Sequence, residues 1–189
     1  MSPIKAIQQF VSLSKEEIAE IASLFEKKEI VKGGRFLEYG KICDKVGYIE
    51  SGSLIFVKHD SEGNQIATDF LFDGDWVSYY NSLLLEIPSD VDIICNEDCV
   101  IHVLTKSKLE LVYESFPKME RLGRMLAEHA FIDLAKRSSN LQKLSGKERY
   151  LDLMQRKSIV LEKIPQYYIA SYLGIQPQSL SRIRKKILG

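Results

Sequence analysis

The fold is decided by residues 164–188, which read IPQYYIASYLGIQPQSLSRIRKKIL. This stretch predicts two helices around a sharp turn, because Pro165 suits the first turn of a helix and Gly174 suits the left-handed residue that ends one. Pro177 then opens the second helix, and we expect Ile175 to be a buried plug between the two. Apolar residues recur at helical spacing: Ile169, Ala170 and Leu173 on the first helix and Leu180, Ile183 and Ile187 on the second.

The outer face of the second helix carries polar and basic side chains, namely Gln178, Ser179, Ser181, Arg182, Lys185 and Lys186. Such side chains hydrogen-bond base edges or pair with phosphates. We expect Arg182 and Gln178, one turn apart, to contact bases. Gln166, Lys185 and Lys186 are expected to hold phosphate. The pattern predicts a DNA-binding helix-turn-helix, and the alternative is an amphipathic helix pair with a solvated basic face.

Charge is unevenly distributed along a chain that is neutral overall, with 26 basic and 26 acidic residues among its 189. From residue 141 onward there are ten basic and three acidic residues, which gives +7 and leaves −7 for residues 1–140. A basic end on an acidic body is typical of a protein in which one domain meets a polyanion.

Composition argues against several classes of protein. The chain has no run of eighteen apolar residues and no apolar segment of the signal-peptide kind near Met1, so we expect no membrane contact and a cytoplasmic location. Cys43, Cys95 and Cys99 are odd in number and lack CxxC spacing. They are expected to be free thiols rather than ligands of zinc or an iron–sulfur cluster.

The hydrophobic period changes twice along the chain. Residues 4–27 look helical, and Ser14 with Glu17 forms a capping box. Short strands with turns between them follow from 29 to 105, a pattern that favours a β-sandwich or barrel. The period is helical again from 106, with a short helix to Phe116, a long helix over 118–138 and another over 141–154. The sequence therefore predicts an α+β protein.

The long helix has a second use besides core packing. Its apolar stripe is Met119, Leu122, Met125, Leu126, Ala130 and Leu134. A helix that joins a β-domain to a DNA-binding domain often forms a two-fold dimer seam, and we favour that interpretation. The expected domains are 1–117, a β-roll sensor, 118–140, a dimerisation helix and linker, and 141–189, the helix-turn-helix.

In this order the elements resemble the Crp/Fnr family of bacterial transcription regulators. The glycine-marked turns of the family's cyclic-nucleotide-binding domain are matched by Lys32-Gly33-Gly34, Gly40, Tyr48-Ile49-Glu50-Ser51-Gly52-Ser53 and Asp73-Gly74-Asp75-Trp76, and its DNA-binding motif by residues 169–183. The resemblance implies a double-stranded β-helix (jelly roll) followed by a winged helix-turn-helix, whose wing is reduced because the link over 157–163 is short. It also implies a homodimer on DNA, contact with RNA polymerase and a small-molecule effector.

The chain departs from the cyclic-nucleotide-binding members of that family. Their Gly-Glu pair holds the ribose and their Arg-Ser pair the cyclic phosphate, whereas this chain has Gly74-Asp75 and Pro88-Ser89. Proline offers no donor to phosphate. We therefore expect no control by cyclic AMP and no bound cofactor. A pocket for another small molecule is expected at Asp75, Trp76, Ser78, Tyr79 and Ser89.

Two other functions remain open. A cupin-like metalloenzyme would need several histidines and carboxylates around a metal, but the chain has only His59, His102 and His129, without an HxH pair. We therefore expect no metal, no catalytic residue and no enzyme activity. The second alternative is a sensor that acts through protein partners alone, with a helix-turn-helix that no longer binds DNA.

Overall fold

The computed structural model describes residues 1–188, in which nine helices and eight strands are assigned. The helices are α1 (Pro3–Gln8), α2 (Lys15–Leu24), α3 (Tyr80–Leu85), α4 (Lys106–Ser115), α5 (Pro117–Lys143), α6 (Gly146–Arg156), α7 (Ile159–Lys163), α8 (Gln166–Tyr172) and α9 (Pro177–Leu188). The strands are β1 (Glu26–Ile30), β2 (Arg35–Leu37), β3 (Lys45–Ser51), β4 (Ser53–His59), β5 (Gln65–Phe72), β6 (Trp76–Val77), β7 (Asp92–Cys95) and β8 (Cys99–Thr105). The α+β class is as predicted.

These elements form two compact units. The N-terminal unit consists of residues 1–56 and 71–128, and the C-terminal unit of residues 57–70 and those from 129 onward. The end of the β4–β5 hairpin thus groups with the C-terminal helices, and the unit changes within α5. The predicted domain boundaries after residues 117 and 140 stay a prediction.

Two four-stranded sheets make up the β-roll, in the orders β1-β8-β3-β6 and β2-β7-β4-β5. In the antiparallel pair of β3 and β8, Tyr48 lies opposite His102. One core cluster takes side chains from both sheets, among them Ile49, Leu54, Ile93 and Ile101, none of which has any exposed surface. Burial of this apolar surface is the main stabilising term of the unit.

The region before the sheets differs from a single helical stretch over 4–27. It holds α1 and α2 and then the start of β1, which reads EKKEI and pairs with β8 at the edge of its sheet. The predicted capping box starts α2: the N–H of Glu17 donates to Ser14 Oγ at 3.2 Å, and the N–H of Ser14 donates to Glu17 Oε2 at 2.7 Å.

Helix α5 buries its beginning and exposes its later apolar side chains. Met119 and Leu122 lie in the core of the N-terminal unit, and Leu126 packs against that core. Leu122 is thus committed to the core of its own chain, whereas Leu126 is half-buried, and the dimer seam on α5 stays a prediction. The large apolar side chains that α5 leaves exposed are Phe131, Ile132, Leu134 and Leu141.

The C-terminal unit contains α6 to α9. No strand is assigned between residues 106 and 188, and the link in which a small wing was expected forms the helix α7. Val160 in this helix is fully buried, and Ile164 after it is nearly so. The link therefore packs against the C-terminal unit through these two side chains. Nowhere in residues 1–188 is there a helix with the length and hydropathy that a membrane span requires.

Candidate nucleic-acid interface

The turn between α8 and α9 is closed by two backbone hydrogen bonds. Gly174 has a φ of 63°, in the left-handed region. Its N–H bonds to the carbonyl of Ser171, and the N–H of Ile175 bonds to that of Ala170, both at 3.0 Å. This pair is a Schellman motif, which ends a helix abruptly. Helix α9 then begins at Pro177, as predicted.

Small and apolar side chains fix how the two helices cross. Ala170 and Leu180 are fully buried, and Leu173 is nearly so. Ile175 was expected to be a plug between α8 and α9, but it is only half-buried and lies against Gly146 at the start of α6. A Cβ at Gly146 would come within 2.6 Å of Ile175 Cγ2, so any larger residue there would force the Ile175 side chain to move.

The predicted DNA-contacting residues share the solvent side of this motif. Gln166, Gln178, Ser181, Arg182, Lys185 and Lys186 are exposed, and Ser179 is half-buried. Because Gln178, Arg182 and Lys185 are spaced by four and three residues, they lie on one face of α9. The opposite face holds the buried Leu180. The predicted residues of α9 thus form one polar face of that helix, and Gln166 is exposed on α8.

This polar surface is positively charged. No acidic residue occurs from residue 163 to the end of the sequence. Arg182, Lys185 and Lys186 form no ion pair with any residue in the described range 1–188. Basic side chains without acidic partners are free to neutralise phosphates, as nucleic-acid binding requires.

Three other basic residues of the C-terminal unit have internal partners instead. Arg149 donates from Nε to the carbonyl oxygen of Leu173 at 2.8 Å. Arg156 Nε bonds to Asp152 Oδ2 at 2.9 Å, four residues earlier. Arg149 and Arg156 are therefore less available to phosphates than the basic count after residue 141 suggests. No local sequence pattern marks Arg149, because its partner is 24 residues away.

The third is Lys157, whose Nζ donates to the carbonyl oxygen of Phe70 at 2.6 Å. Phe70 belongs to β5 but lies in the C-terminal unit. No local sequence pattern indicates this contact, since the two residues are 87 positions apart.

A second capping box starts helix α6. The N–H of Ser145 donates to Glu148 Oε2 at 2.8 Å, and the N–H of Glu148 donates to Ser145 Oγ at 3.3 Å. The hydrogen bonds from Ser145 lower the pKa of the Glu148 carboxyl, because they favour its charged form. This box places the start of α6 at Gly146, whereas the sequence suggested a helix from 141.

The five effector-pocket candidates lie in the N-terminal unit, where they have structural partners. Asp75 Oδ2 accepts the N–H of Phe72 at 2.9 Å, within the turn before β6. Trp76 packs edge-on against Tyr48, with ring centroids 5.1 Å apart. Ser78 Oγ donates to the carbonyl oxygen of Lys45 at 2.9 Å.

The remaining two candidates are also bonded to nearby protein groups. Tyr79 donates its hydroxyl to Asp90 Oδ1, and burial together with this carboxylate raises the pKa of Tyr79 to about 12. Ser89 is buried, and its Oγ donates to the carbonyl oxygen of Val91 at 2.8 Å and accepts the N–H of Val91 at 3.1 Å. Pro88, beside it, forms a bridge with Ile42. The effector pocket therefore remains a prediction.

No group of three or more histidine, cysteine or acidic side chains within residues 1–188 is arranged to hold a metal ion. Cys43, Cys95 and Cys99 are buried free thiols.

Comparison with known proteins gives matches at the level of structure. No protein-family model matches the chain. No curated protein matches it either. The solved structures include CLP, the c-di-GMP responsive global regulator of Xanthomonas campestris, with a TM-score of 0.71 and 14% identity over 93% of this chain and 92% of that one.

Two further structures show the same likeness. FixK2 from Bradyrhizobium japonicum has a TM-score of 0.75 at 15% identity and covers 87% of this chain and 84% of its own. A regulator assigned to the Crp/Fnr family from Eubacterium rectale has a TM-score of 0.71 at 17% identity, over 93% and 84%. Identities this low concern the fold alone. The chain has the fold of Crp/Fnr transcription regulators, a β-roll followed by a helix-turn-helix.

Proposed function

We propose that the chain is a homodimeric, sequence-specific DNA-binding transcription regulator of the Crp/Fnr type. The observation that carries this proposal is the exposed face of α9, where Gln178, Arg182 and Lys185 lie together and no acid neutralises them. The likeness of the fold to solved regulators supports the same conclusion. Because the similar solved structures are regulators, the proposal does not include an enzyme activity.

The side chains on this face have separate roles in the proposal. Arg182 contacts a guanine through its two forked donors, and Gln178, one turn earlier, contacts a neighbouring base. Lys185 and Lys186 pair with phosphates, as does Gln166 at the first position of α8. Phosphate contacts supply affinity and register, whereas the two base contacts supply sequence preference.

Dimerisation in this proposal uses the exposed side of α5. Ala127, Phe131, Leu134, Ser138 and Leu141 recur at alternating intervals of four and three residues, the spacing of a coiled-coil seam. Phe131 is 71% exposed and Leu134 62% exposed in the single chain. Large apolar side chains in a row on one helix indicate an interface, and a second copy of the same helix fits the spacing.

The seam does not coincide with the core-facing side of the helix. Leu122 and Phe131 are nine residues apart, about two and a half helical turns, so they point in opposite directions. The helix can therefore serve the core of the N-terminal unit and a dimer seam without conflict. A two-fold dimer would bring two copies of α9 to successive major grooves, about 34 Å apart, on a near-palindromic site.

In this proposal, cyclic AMP does not regulate the chain. Pro88 supplies no hydrogen-bond donor, so a cyclic phosphate near Ser89 would lose its water without gaining a charged partner. A different small molecule, or none, would act on the β-roll.

A selection experiment tests the proposed function. The full-length chain is incubated with fragmented genomic DNA of its source, recovered and the bound DNA sequenced. We expect enrichment of a short inverted repeat whose half-sites are one helical turn apart. A variant with Arg182, Lys185 and Lys186 replaced by alanine is the control and should enrich nothing. Failure of the wild-type chain to enrich any sequence would contradict the proposal and favour a sensor that acts through protein partners.

A further inference from the structure

A small cavity lies within the C-terminal unit, where the second half of α5, helix α6 and the end of α8 meet. Its volume is about 20 Å³, and it is partly open to solvent. A cavity needs roughly 10–15 Å³ to hold one water molecule, so this one suits a single water or small ion and is too small to enclose a nucleotide. Its polar lining consists of Arg137, Asn140, Arg149, Asp152, Arg156 and Tyr172.

The lining of this cavity carries more positive than negative charge. Three arginines and one aspartate give it a formal charge of 3 − 1 = +2. The aspartate is already paired, because Asp152 Oδ2 accepts Arg156 Nε at 2.9 Å and Asn140 Nδ2 at 3.2 Å. Arg149 is directed at carbonyl oxygens at the ends of α5 and α8. Arg137 is therefore the cation of the lining that lacks an acceptor.

Arg137 has a buried donor that nothing in the chain satisfies. Its Nε is buried and forms no hydrogen bond with any group in residues 1–188. The guanidinium lies over the ring of Tyr172, 4.4 Å from the ring centroid, and this contact holds it beside the cavity. An unsatisfied buried donor is unfavourable, and more so when it belongs to a charged group, so native proteins nearly always supply an acceptor.

Two kinds of acceptor fit the cavity by size, a water molecule and a small anion. A water molecule would accept the N–H but would leave the charge of Arg137 without a counter-charge. An anion satisfies both, and a hydrogen bond between two charged groups is stronger than one to a neutral acceptor. Because buried charges in proteins are paired, the charge of the lining favours the anion. The volume favours a single atom over a larger oxyanion.

We propose that this cavity binds one monovalent anion of halide size, chloride, which accepts the N–H of Arg137 Nε. The bound ion joins α5, through Arg137, to the walls that α6 and α8 contribute. It stabilises the C-terminal unit because it binds the folded chain and has no site on the unfolded one. The inference concerns stability and does not rest on the proposed DNA binding.

The first test is thermal unfolding of the full-length chain without DNA. The protein is melted in sodium chloride and in sodium gluconate at equal ionic strength, since gluconate is too large for the cavity. Chloride should raise the melting temperature by about 2–4 °C when it is in roughly fivefold excess over its dissociation constant. Sodium bromide should act as sodium chloride does. Equal melting temperatures in chloride and gluconate would overturn the proposal.

The second test compares two substitutions on α5. Arg137→Gln removes the charge and the Nε donor, so its melting temperature should be the same in chloride and gluconate. Lys136→Gln is the matched control, because it removes one charge from the neighbouring residue, which is exposed. It should keep the full chloride effect. Loss of that effect in Lys136→Gln as well would show a general response to surface charge and overturn the proposal.

The third test needs no substitution and therefore holds even if Arg137→Gln fails to fold. Crystals of the wild-type chain grown in sodium bromide should show anomalous density within hydrogen-bonding distance of Arg137 Nε. A water molecule in that position, or no density, would contradict anion binding. Bromide there without any chloride effect on melting would identify an adventitious ion only and also overturn the proposal. A chain with this site that binds no DNA would contradict the proposed function alone.

Discussion

Arg149 donates a hydrogen bond from Nε to the carbonyl oxygen of Leu173, at 2.8 Å. Leu173 is the C-cap of α8, where helix carbonyls lack intrahelical partners. The same guanidinium donates from Nη1 to the carbonyl of Leu144, just after α5 ends, and to that of Leu141 at 3.4 Å. The Arg149 guanidinium thus bonds to carbonyl oxygens at the C-terminal ends of both α5 and α8.

Replacing Arg149 by methionine should lower the free energy of unfolding by about 2–3 kcal/mol, because carbonyls at the ends of two helices lose a charged donor. Arg149→Lys should be milder because an ammonium keeps a charged donor, but it should still lower stability because an ammonium cannot reach several carbonyls in one plane. Urea denaturation measures both, with the exposed Lys147→Met as control. Unchanged stability combined with weaker, less salt-dependent DNA binding would make Arg149 a phosphate contact instead.

Arg182→Ala should weaken binding to the selected duplex by about 1–3 kcal/mol and relax the preference at one base position. Lys186→Ala should weaken binding to all duplexes alike and make the dependence of affinity on salt shallower by about one unit of slope. Titrations of a duplex panel at several salt concentrations measure both effects, with the exposed Lys15→Ala as control. Equal weakening by Arg182→Ala on every duplex would show that Arg182 contacts only the backbone.

The helix-turn-helix could be predicted because its signals are local. Gly174 and Pro177 each restrict the backbone at their own position, so the end of α8 and the start of α9 follow from residue type alone. Strand β1 could not be predicted individually. Its sequence EKKEI shows neither alternation nor a hydrophobic run, and it forms because β8 supplies a partner about 75 residues later along the chain.

The candidate site likewise contains residues that the sequence could predict and residues that it could not. The face that contains Arg182 follows from helical spacing, whereas the partners of Arg149 and Lys157 are brought together only by tertiary folding. Helix α5 is an intermediate case, since apolar residues occur on more than one of its faces. Periodicity indicated a stripe through Leu122, but it could not show which stripe the N-terminal core would bury.

Introducing charge on the exposed side of α5 should separate the proposed dimer into monomers. Phe131→Glu combined with Leu134→Glu would place acids in an apolar seam, so we expect a monomer at micromolar concentration and weak binding to the selected duplex. Sedimentation equilibrium measures the oligomeric state. Leu122→Ala is the contrasting variant, which should lower stability by about 2–5 kcal/mol through its core cavity and still dimerise. If the variant with both glutamates is still a dimer, the interface does not lie on this side of α5.

The capping box of α6 gives the C-terminal unit a measurable dependence on pH. The pKa of Glu148 is lowered from its ordinary value of 4.5, so its contribution to stability is complete above that pH and is lost as the pH falls through the folded-state pKa. Glu148→Gln keeps a capping side chain but does not titrate. Wild type should therefore have the higher melting temperature at pH 7, and the difference should shrink toward pH 3. A constant difference across this range would contradict the assignment.

Cyclic AMP should neither bind the chain nor change its affinity for DNA. Pro88 has no donor to offer a phosphate, and the hydroxyl of Ser89 is already bonded on both sides to Val91. Asp75 is one methylene shorter than a glutamate, and its carboxylate accepts the N–H of Phe72 within its own turn. Calorimetric titration of the full-length chain with cyclic AMP should show no saturable heat in the micromolar range, and duplex affinity should be the same with and without the nucleotide. Micromolar binding that also strengthens DNA affinity would mean that another basic residue serves the phosphate.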